Sequence, residues 1–534
     1  MSAQAALVST EQARALDTEA SAQWGLHPFA LVEAAGRACA GVGTRDWGLG
    51  SCCSESDSTF RVHPNSSNGY PQSLIPSPQS LIVLAGKGNN AADALVMLKT
   101  LVLYGFVPAS ACTVFAVQIS DDAASPLSQA MLAVQKLNIP VMPWNSATAA
   151  GMLANADVVI DGIAGTGLTG SLRGVALEMA EAVNALNREK TYIVSIDMPS
   201  GNFDGWQPGM PIVEAHATLA IEPQKLCVYT PSARRFSGTI LPVGGIFPPA
   251  LIDQYRAAEL VTWDITSARI PPVSETAYKY ERGLVEIRAG SPGATGAALL
   301  AAQGAQAAGA GLVRLMVDPA VYPVIAPGCS GIMVAATEDQ RFVPDAVLLG
   351  PGWGRGDDRR RLLEACVPLE AQGIPLILDA DAIMLAKDMV FHGNAIITPH
   401  PGEFAAYTGL PKDEILANPV PALRHYAAAK NVHILFKSHV LYVVSPDGRI
   451  GVIDGMNPAL AAGGSGDVLA GFCAAIAARC RSRPFDGYAC ACAAASLLVQ
   501  AAKRIGKAFV DPAEFAKSAA AIAGEAWILK RSNA

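Results

Sequence analysis

Short β-branched runs alternate with alanine-rich helical stretches along most of the chain, and this alternation limits the folds open to it. Consecutive strands separated by helix-length connections pair in parallel, so the pattern implies parallel sheets covered by helices, an α/β architecture. In the first half the candidate strands are residues 81–85, 112–117, 157–160 and 192–196. In the second they are 284–288, 312–317, 346–349, 376–378 and 434–436, each followed by a glycine-rich turn or a helical stretch. A chain of 534 residues exceeds one ordinary core, so two domains are expected. Proline punctuation between Ile246 and Pro272 marks the passage between them, giving domains at 1–255 and 256–534. Residues 51–80 are rich in Ser, Pro and Asn without a period and read as a surface insertion or flexible loop.

Hydrophobic residues make up 51% of the chain and charged residues 16%, which raises the question of a membrane span. The most suspicious uncharged stretch, residues 100–120, contains Gly105 and Pro108 where a spanning helix would have to continue. It reads as helix end, turn and buried strand. The second such stretch, 289–313, is mostly glycine and alanine, so no membrane span is expected. The N-terminus has no basic region before an apolar block and resembles no secretory signal. Eleven cysteines scattered without metal-ligand spacing favour reduced thiols in a cytoplasm. A net charge of −7 without a basic cluster argues against a nucleic-acid partner and favours small-molecule chemistry.

Three turns in the first half combine glycine with polar groups at strand ends. They are Gly86-Lys87-Gly88-Asn89-Asn90-Ala91-Ala92-Asp93, then Asp161 to Gly167, then Asp197-Met198-Pro199-Ser200-Gly201. In a doubly wound sheet all three project from the carboxyl edge, where ligands bind. Glycine and aspartate also make tight turns for purely structural reasons, and any one loop is open to that alternative. Asp197 is the acid/base candidate; otherwise it anchors a ribose or amide hydroxyl.

The strongest signal in the second half is Asn457 to Asp467, NPALAAGGSGD, running into the apolar helix VLAGFCAAIAA. Glycines at a helix start present backbone N–H groups and the positive end of the helix dipole to a phosphate. Asp467 in the first turn can take a proton from a substrate hydroxyl. The alternative is a glycine turn with an aspartate that only complements the dipole. Gly350 to Gly354, Asp379-Ala380-Asp381, Thr398 to Glu403 and Lys437 end successive strands and converge on the same edge.

The series GKGNNAADAL, DGIAGTGLTGSLRG and SIDMPSGNFDGWQPG, with LVEAAGR before it, resembles the epimerase domain of the NAD(P)H-hydrate repair enzymes over about residues 8–248. The resemblance implies a Rossmann-like three-layer αβα sandwich. It implies potassium ligands at Asn90, Asp161 and Ser200, and hydrate contacts at Asn89, Asn90, Ala91, Ala92 and Asp93, at Gly165, Thr166, Gly167, Leu168, Thr169, Gly170 and Ser171, and at Asp197. Where the family has two glycines and then Asp-Gly, this chain has Ala91-Ala92-Asp93-Ala94. An alanine forced to positive φ there would be strained by roughly 1 kcal/mol, and added methyls would narrow the site.

GSPGATGAALLAAQGAQAAGAGLV, LLGPGWG, LDADAIML, ITPHPGEF, LFKS and NPALAAGGSGDVLAG resemble the ADP-dependent dehydratase domain of the same enzymes over about residues 278–498. That implies a ribokinase-like α/β domain, hydrate contacts at Ala298, Gly352, His400 and Asp467, and nucleotide contacts at Lys437, Ser438, His439, Val440, Leu441 and Gly466. Tyr278-Lys279-Tyr280, Ser438 and Ala462 depart from the family's usual residues. The implied chemistry is epimerisation of R- and S-hydrates of NADH and NADPH, then dehydration of the S-form as ADP becomes AMP and phosphate, with Mg2+ on the nucleotide. A cytoplasmic homo-oligomer is expected. A ribokinase-like small-molecule kinase shares the Gly463 to Asp467 turn, and a binding-only first domain is the other alternative.

Overall fold

The computed structural model describes residues 5–46, 78–118, 124–336, 343–480 and 485–531. Apart from 78–80, the insertion expected at 51–80 lies outside them. The chain packs as two compact units, Met1–Ala257 and Ala258–Ala534.

In the first unit seven parallel strands form one sheet in the order Val141–Pro143, Cys112–Ala116, Leu81–Ala85, Val158–Gly162, Tyr192–Ile196, Ala217–Ile221 and Thr239–Val243. Counted along the chain this is 3-2-1-4-5-6-7, a doubly wound order whose direction reverses between Leu81–Ala85 and Val158–Gly162. Period-two alternation divides the strand residues between two cores. Leu81, Val83 and Ala85 pack with the helices Pro28–Asp46, Asn89–Leu103 and Pro126–Lys136, whereas Ile82 and Leu84 face Ser146–Leu153 and Val175–Asn184. The result is the expected three-layer sandwich.

Two differences from the sequence expectation bear on the site. The third candidate strand continues to Gly162, because Leu84 pairs with Asp161 and Ala85 with Gly162, so Asp161 belongs to the sheet and not to the turn. A short strand, Ala6–Val8, also pairs in parallel with Gln224–Lys225. That pairing sets the start of the helix Thr10–Ala22, whose Thr10 N and Oγ1 donate to Asp204 Oδ2 at 2.8 and 2.7 Å. The stretch around Gly105 is a helix end with Gly105 at φ +74° followed by the strand Cys112–Ala116, as expected. Among the described residues no helix is long and apolar enough to cross a membrane.

The second unit builds its sheet in the order Met333–Ala335, Leu312–Met316, Leu284–Arg288, Ala346–Leu349, Leu376–Leu378, Ala395–Ile397 and His433–Phe436, all parallel. Val440–Val444 and Ile450–Asp454 follow antiparallel, and Ala258–Leu260 runs parallel to the latter. On one face the helices Thr295–Ala307 and Ser465–Arg479 approach backbone to backbone. A Cβ on Gly471 would lie 2.1 Å from Ala301 O, and one on Gly304 2.4 Å from Val468 O. Only glycine permits that approach, and it fixes where the Ser465–Arg479 helix begins.

Candidate active site

In the first unit the ends of Leu81–Ala85 and Val158–Gly162 are stitched together. Gly86 N donates to Gly162 O at 3.1 Å, and a Cβ on Gly86 would meet Ile163 O at 1.8 Å. The loops that leave these strands border a cavity of about 1270 Å³, larger than the roughly 300–1,000 Å³ common for small-molecule sites. Asn89, Asn90, Asp93, Gly165, Thr166, Gly167, Leu168, Ser171 and Asp197 line it. Thr169 and Gly170 lie on the same loop but not in the lining.

Ala91 and Ala92 are fully buried, as is Ala94, and all three are helical residues of Asn89–Leu103. None is among the non-glycine residues at positive φ, so the strain anticipated for these alanines does not arise. Nor do their methyls narrow the cavity, whose wall on this helix is made by Asn89, Asn90 and Asp93.

Beside the cavity lies an oxygen-rich cradle. Asp161 is fully buried; its carboxylate accepts from Ser195 Oγ at 2.7 Å, Ser200 N at 2.9 Å and Ile163 N at 3.2 Å. Ser200 Oγ sits between Asp161 Oδ1 and the Ala164 carbonyl, 3.0 Å from the latter. Asn90 Nδ2 donates to the same carbonyl at 3.2 Å, and this leaves Asn90 Oδ1 buried without a partner. An orphaned amide oxygen next to a buried carboxylate is a place for a cation. Burial raises the Asp161 pKa against the pull of its hydrogen bonds, so the carboxylate gains from a positive neighbour.

Asp197 takes φ +66° at the end of its strand, which turns its carboxylate into an ion pair with Lys225 at 2.6 Å. Lys225 Nζ also donates to Ile221 O at 3.1 Å. Lys225, which lies in the family-like stretch ATLAIEPQKLCVYTPSARRFSGTI, and Asp17 line the same cavity; their separation along the chain from Asp197 hides the grouping. Burial pushes Asp17 up to about 6, Lys225 opposing and Asp197 adding. It pushes Asp93 well above the carboxylate range, with Asp197 and Asp17 adding to the effect.

In the second unit the GGSGD turn forms as expected. Gly464 caps the helix Ser465–Arg479 at φ +96°, and the Asp467 carboxyl lies in its first turn. Lys437, at the end of His433–Phe436, reaches over this terminus, its Nζ 3.3 Å from where a Cβ of Gly466 would stand. The Lys437 ammonium pairs with Asp379 Oδ1 at 2.6 Å, an oxygen that also accepts from Thr398 Oγ1 at 2.6 Å. Burial raises Asp467 to about 6; Asp379 and Glu403 push the same way and Lys437 opposes.

His400 caps the helix Pro401–Thr408. Its Nδ1 accepts from Gly402 N at 3.0 Å and Glu403 N at 3.2 Å, which leaves the ring proton on Nε2, 3.5 Å from Glu403 Oε1. Gly352 at φ +56° lies against Ala294, where a Cβ would meet the carbonyl at 2.6 Å, and its own carbonyl accepts from Ser291 Oγ at 2.9 Å.

Asp467, Lys437, Gly466 and the Glu403 carboxylate beside His400 therefore act on one another. Other expected contacts differ in kind. Ala298, Val440 and Leu441 are buried in the apolar core, which leaves only their backbones for a ligand. Ser438 turns back on its own loop, Oγ accepting from Val440 N at 3.2 Å, and His439 is exposed beside it. Asp379 and Thr398, which orient Lys437, were visible only as members of strand-end motifs.

Two families match the chain: YjeF-related protein N-terminus over residues 28–227, and NAD(P)H-hydrate dehydratase over 285–520. The bifunctional NAD(P)H-hydrate repair enzyme Nnr of Methanopyrus kandleri is 30% identical over 430 residues, covering 78% of this chain and 82% of the relative. That of Salinibacter ruber is 28% identical over 505 residues, covering 87% and 86%. Among solved structures, an ADP/ATP-dependent NAD(P)H-hydrate dehydratase from Bacillus subtilis has a TM-score of 0.45 at 25% identity, covering 50% of this chain and 97% of that one. With both halves matched in order and a relative aligned across most of its length, the chain belongs to the bifunctional NAD(P)H-hydrate repair enzymes.

Proposed function

We propose that the second unit dehydrates the S-hydrates of NADH and NADPH at the expense of ADP, and that the first interconverts the R- and S-hydrates. The observation that carries the dehydratase is the convergence of Asp467 and Lys437 on the start of a long buried helix. Asp467 takes the proton of the hydrate hydroxyl, whose oxygen bonds to the β-phosphorus of ADP while the bond to the bridging oxygen breaks and AMP leaves. The N–H groups of Gly464 and Gly466 at the start of the helix would donate to the transferring phosphoryl, while the Ser465 N–H is held by Ala462 O at 3.3 Å, and the Lys437 ammonium, oriented by Asp379, adds a fixed positive charge. The hydrate's own carbon–oxygen bond, now esterified to phosphate, then breaks with its electron pair leaving on the phosphate, the neighbouring ring carbon loses a proton, and the dihydronicotinamide is restored. His400, with its proton on Nε2, is a donor to the substrate.

Magnesium, when bound with the nucleotide, neutralises phosphate charge. The carboxylates of Glu403 and Asp467, whose fields meet at Lys437, suit a magnesium carried chiefly by those phosphates. In the first unit the unpartnered Asn90 Oδ1 with Asp161, Ser200 and the Ala164 carbonyl suits potassium, which accepts neutral oxygens together with a single carboxylate. Its charge would steady the loop that carries Gly165 to Ser171 over the cavity. A cytoplasmic setting, where the cofactors become hydrated, fits this reading.

Incubating the protein with S-NADH hydrate and ADP tests it. Return of dihydronicotinamide absorbance with one AMP and one phosphate per turnover is expected. Phosphorylated hydrate that accumulates without elimination, or use of ATP to phosphorylate another alcohol instead, would favour a kinase and overturn the proposal.

A further inference from the structure

Epimerisation at a hydroxyl-bearing carbon has a geometric demand that one carboxylate does not meet. Water must leave from one face of the ring and return to the other, so proton transfer is needed on both. Asp197 stands at a strand end and is held by Lys225 at 2.6 Å. Asp17 reaches the same cavity from a different element, the helix Thr10–Ala22, together with Ala13, Arg14, Thr18 and Ser21 of that helix. The Arg14 guanidinium is occupied by the Thr166 carbonyl. Among the described residues Asp17 has charged neighbours but no hydrogen-bond donor for its carboxyl group, so its proton is free to move.

We propose that Asp17 is a second catalytic residue of the epimerising cavity, paired across the substrate with Asp197, and that Lys225 is the positioning residue that holds Asp197 in place. The proposal rests on the epimerase reading of the first unit. In one direction protonated Asp17 gives its proton to the hydroxyl, the carbon–oxygen bond breaks with its electron pair going to the departing water, and the ring nitrogen's lone pair stabilises the cation. Water then bonds to the opposite face and gives a proton to the Asp197 carboxylate. The reverse reaction exchanges the two roles, and the single proton on the pair returns through solvent.

The surroundings suit this sharing. Lys225 from the strand Gln224–Lys225, Asp197 from the sheet and Asp93 from Asn89–Leu103 line the cavity with Asp17, and the buried Cys39 thiol of Pro28–Asp46 lies within reach of their charges. Burial raises Asp17 to about 6, so it exchanges its proton within a unit of neutrality, and burial raises Asp93 as well, with Asp197 and Asp17 adding to the effect. Both directions need one proton on the Asp17–Asp197 pair, which predicts a bell-shaped pH profile belonging to the pair.

The test supplies R-NADH hydrate to the full chain without ADP and follows its conversion to the S-form by chromatography, against the spontaneous rate. If the wild type does not exceed that rate, the epimerase reading fails, and the proposal with it. Given an active wild type, Asp17→Asn is expected to lower kcat by about a hundredfold or more with KM little changed and one limb of the profile lost, and Asp17→Glu to recover part of the rate. Lys225→Met is expected to shift the remaining limb. Wild-type kcat and an intact bell in Asp17→Asn would overturn the proposal. So would a loss in Asp17→Asn that Asp17→Glu does not relieve and that is matched by a lowered Tm.

Discussion

Asp467 pays for its position: taken out of water and set near Asp379 and Glu403, it holds a proton more tightly than a free carboxyl group, with a pKa of about 6. The sign for activity follows. A general base works ionised, so kcat/KM of dehydration is expected to fall about tenfold per pH unit below 6 and to level off above it. A rate that rises towards acid would contradict the assignment. Asp467→Asn removes the base while leaving the helix terminus, and a loss of about a hundredfold to ten-thousandfold in kcat is expected, ADP affinity surviving in a calorimetric titration. The Asn90 amide makes a separate prediction. If its orphaned oxygen holds potassium with Asp161 and Ser200, replacing K+ by Li+ is expected to lower the epimerisation rate several-fold, and Asn90→Ala to abolish that ion dependence. Equal rates in the two salts would count against the site.

Elements explain what could be read from the chain and what could not. Leu81–Ala85, Ala346–Leu349 and Leu376–Leu378 are legible to the residue because a parallel strand covered on both faces is a continuous apolar run, and Tyr192–Ile196 and Leu284–Arg288 because their β-branched residues are bounded by turns despite the buried polar Ser195 and Glu286. Val158–Gly162 ran on past its expected end because Asp161 has side-chain partners inside the protein, Ser195 and Ser200, which no local pattern reveals. Asp17 and Lys225 escaped notice for a related reason: they meet only because the short strands Ala6–Val8 and Gln224–Lys225 pair across the length of the unit. The alanines after Asn90 were misjudged in consequence, not in identity; glycine in that position is not demanded by φ, since the residues are helical.

A helix-level prediction follows from the contact between Thr295–Ala307 and Ser465–Arg479. With a Cβ on Gly471 only 2.1 Å from Ala301 O, Gly471→Ala must push the helices apart, at a cost of about 1–3 kcal/mol. Thermal unfolding is expected to show a lowered Tm and dehydration a raised KM for ADP, because the displaced helix carries the phosphate turn. An unchanged Tm would show that the helices yield freely.

At the scale of the whole molecule, one chain joins two chemistries that need one another. A dehydratase that accepts one epimer leaves the other behind, and an epimerase returns it to the repairable form. Both sites are built from strand ends, the first at the reversal of a doubly wound sheet and the second beside a helix terminus primed for phosphate. The most direct measurement supplies pure R-NADH hydrate with ADP, Mg2+ and K+ to the full chain and records absorbance, AMP and phosphate together. The account predicts complete return of NADH faster than spontaneous epimerisation allows, with one AMP and one phosphate per NADH; recovery no faster than the spontaneous rate, or recovery without AMP, would contradict it.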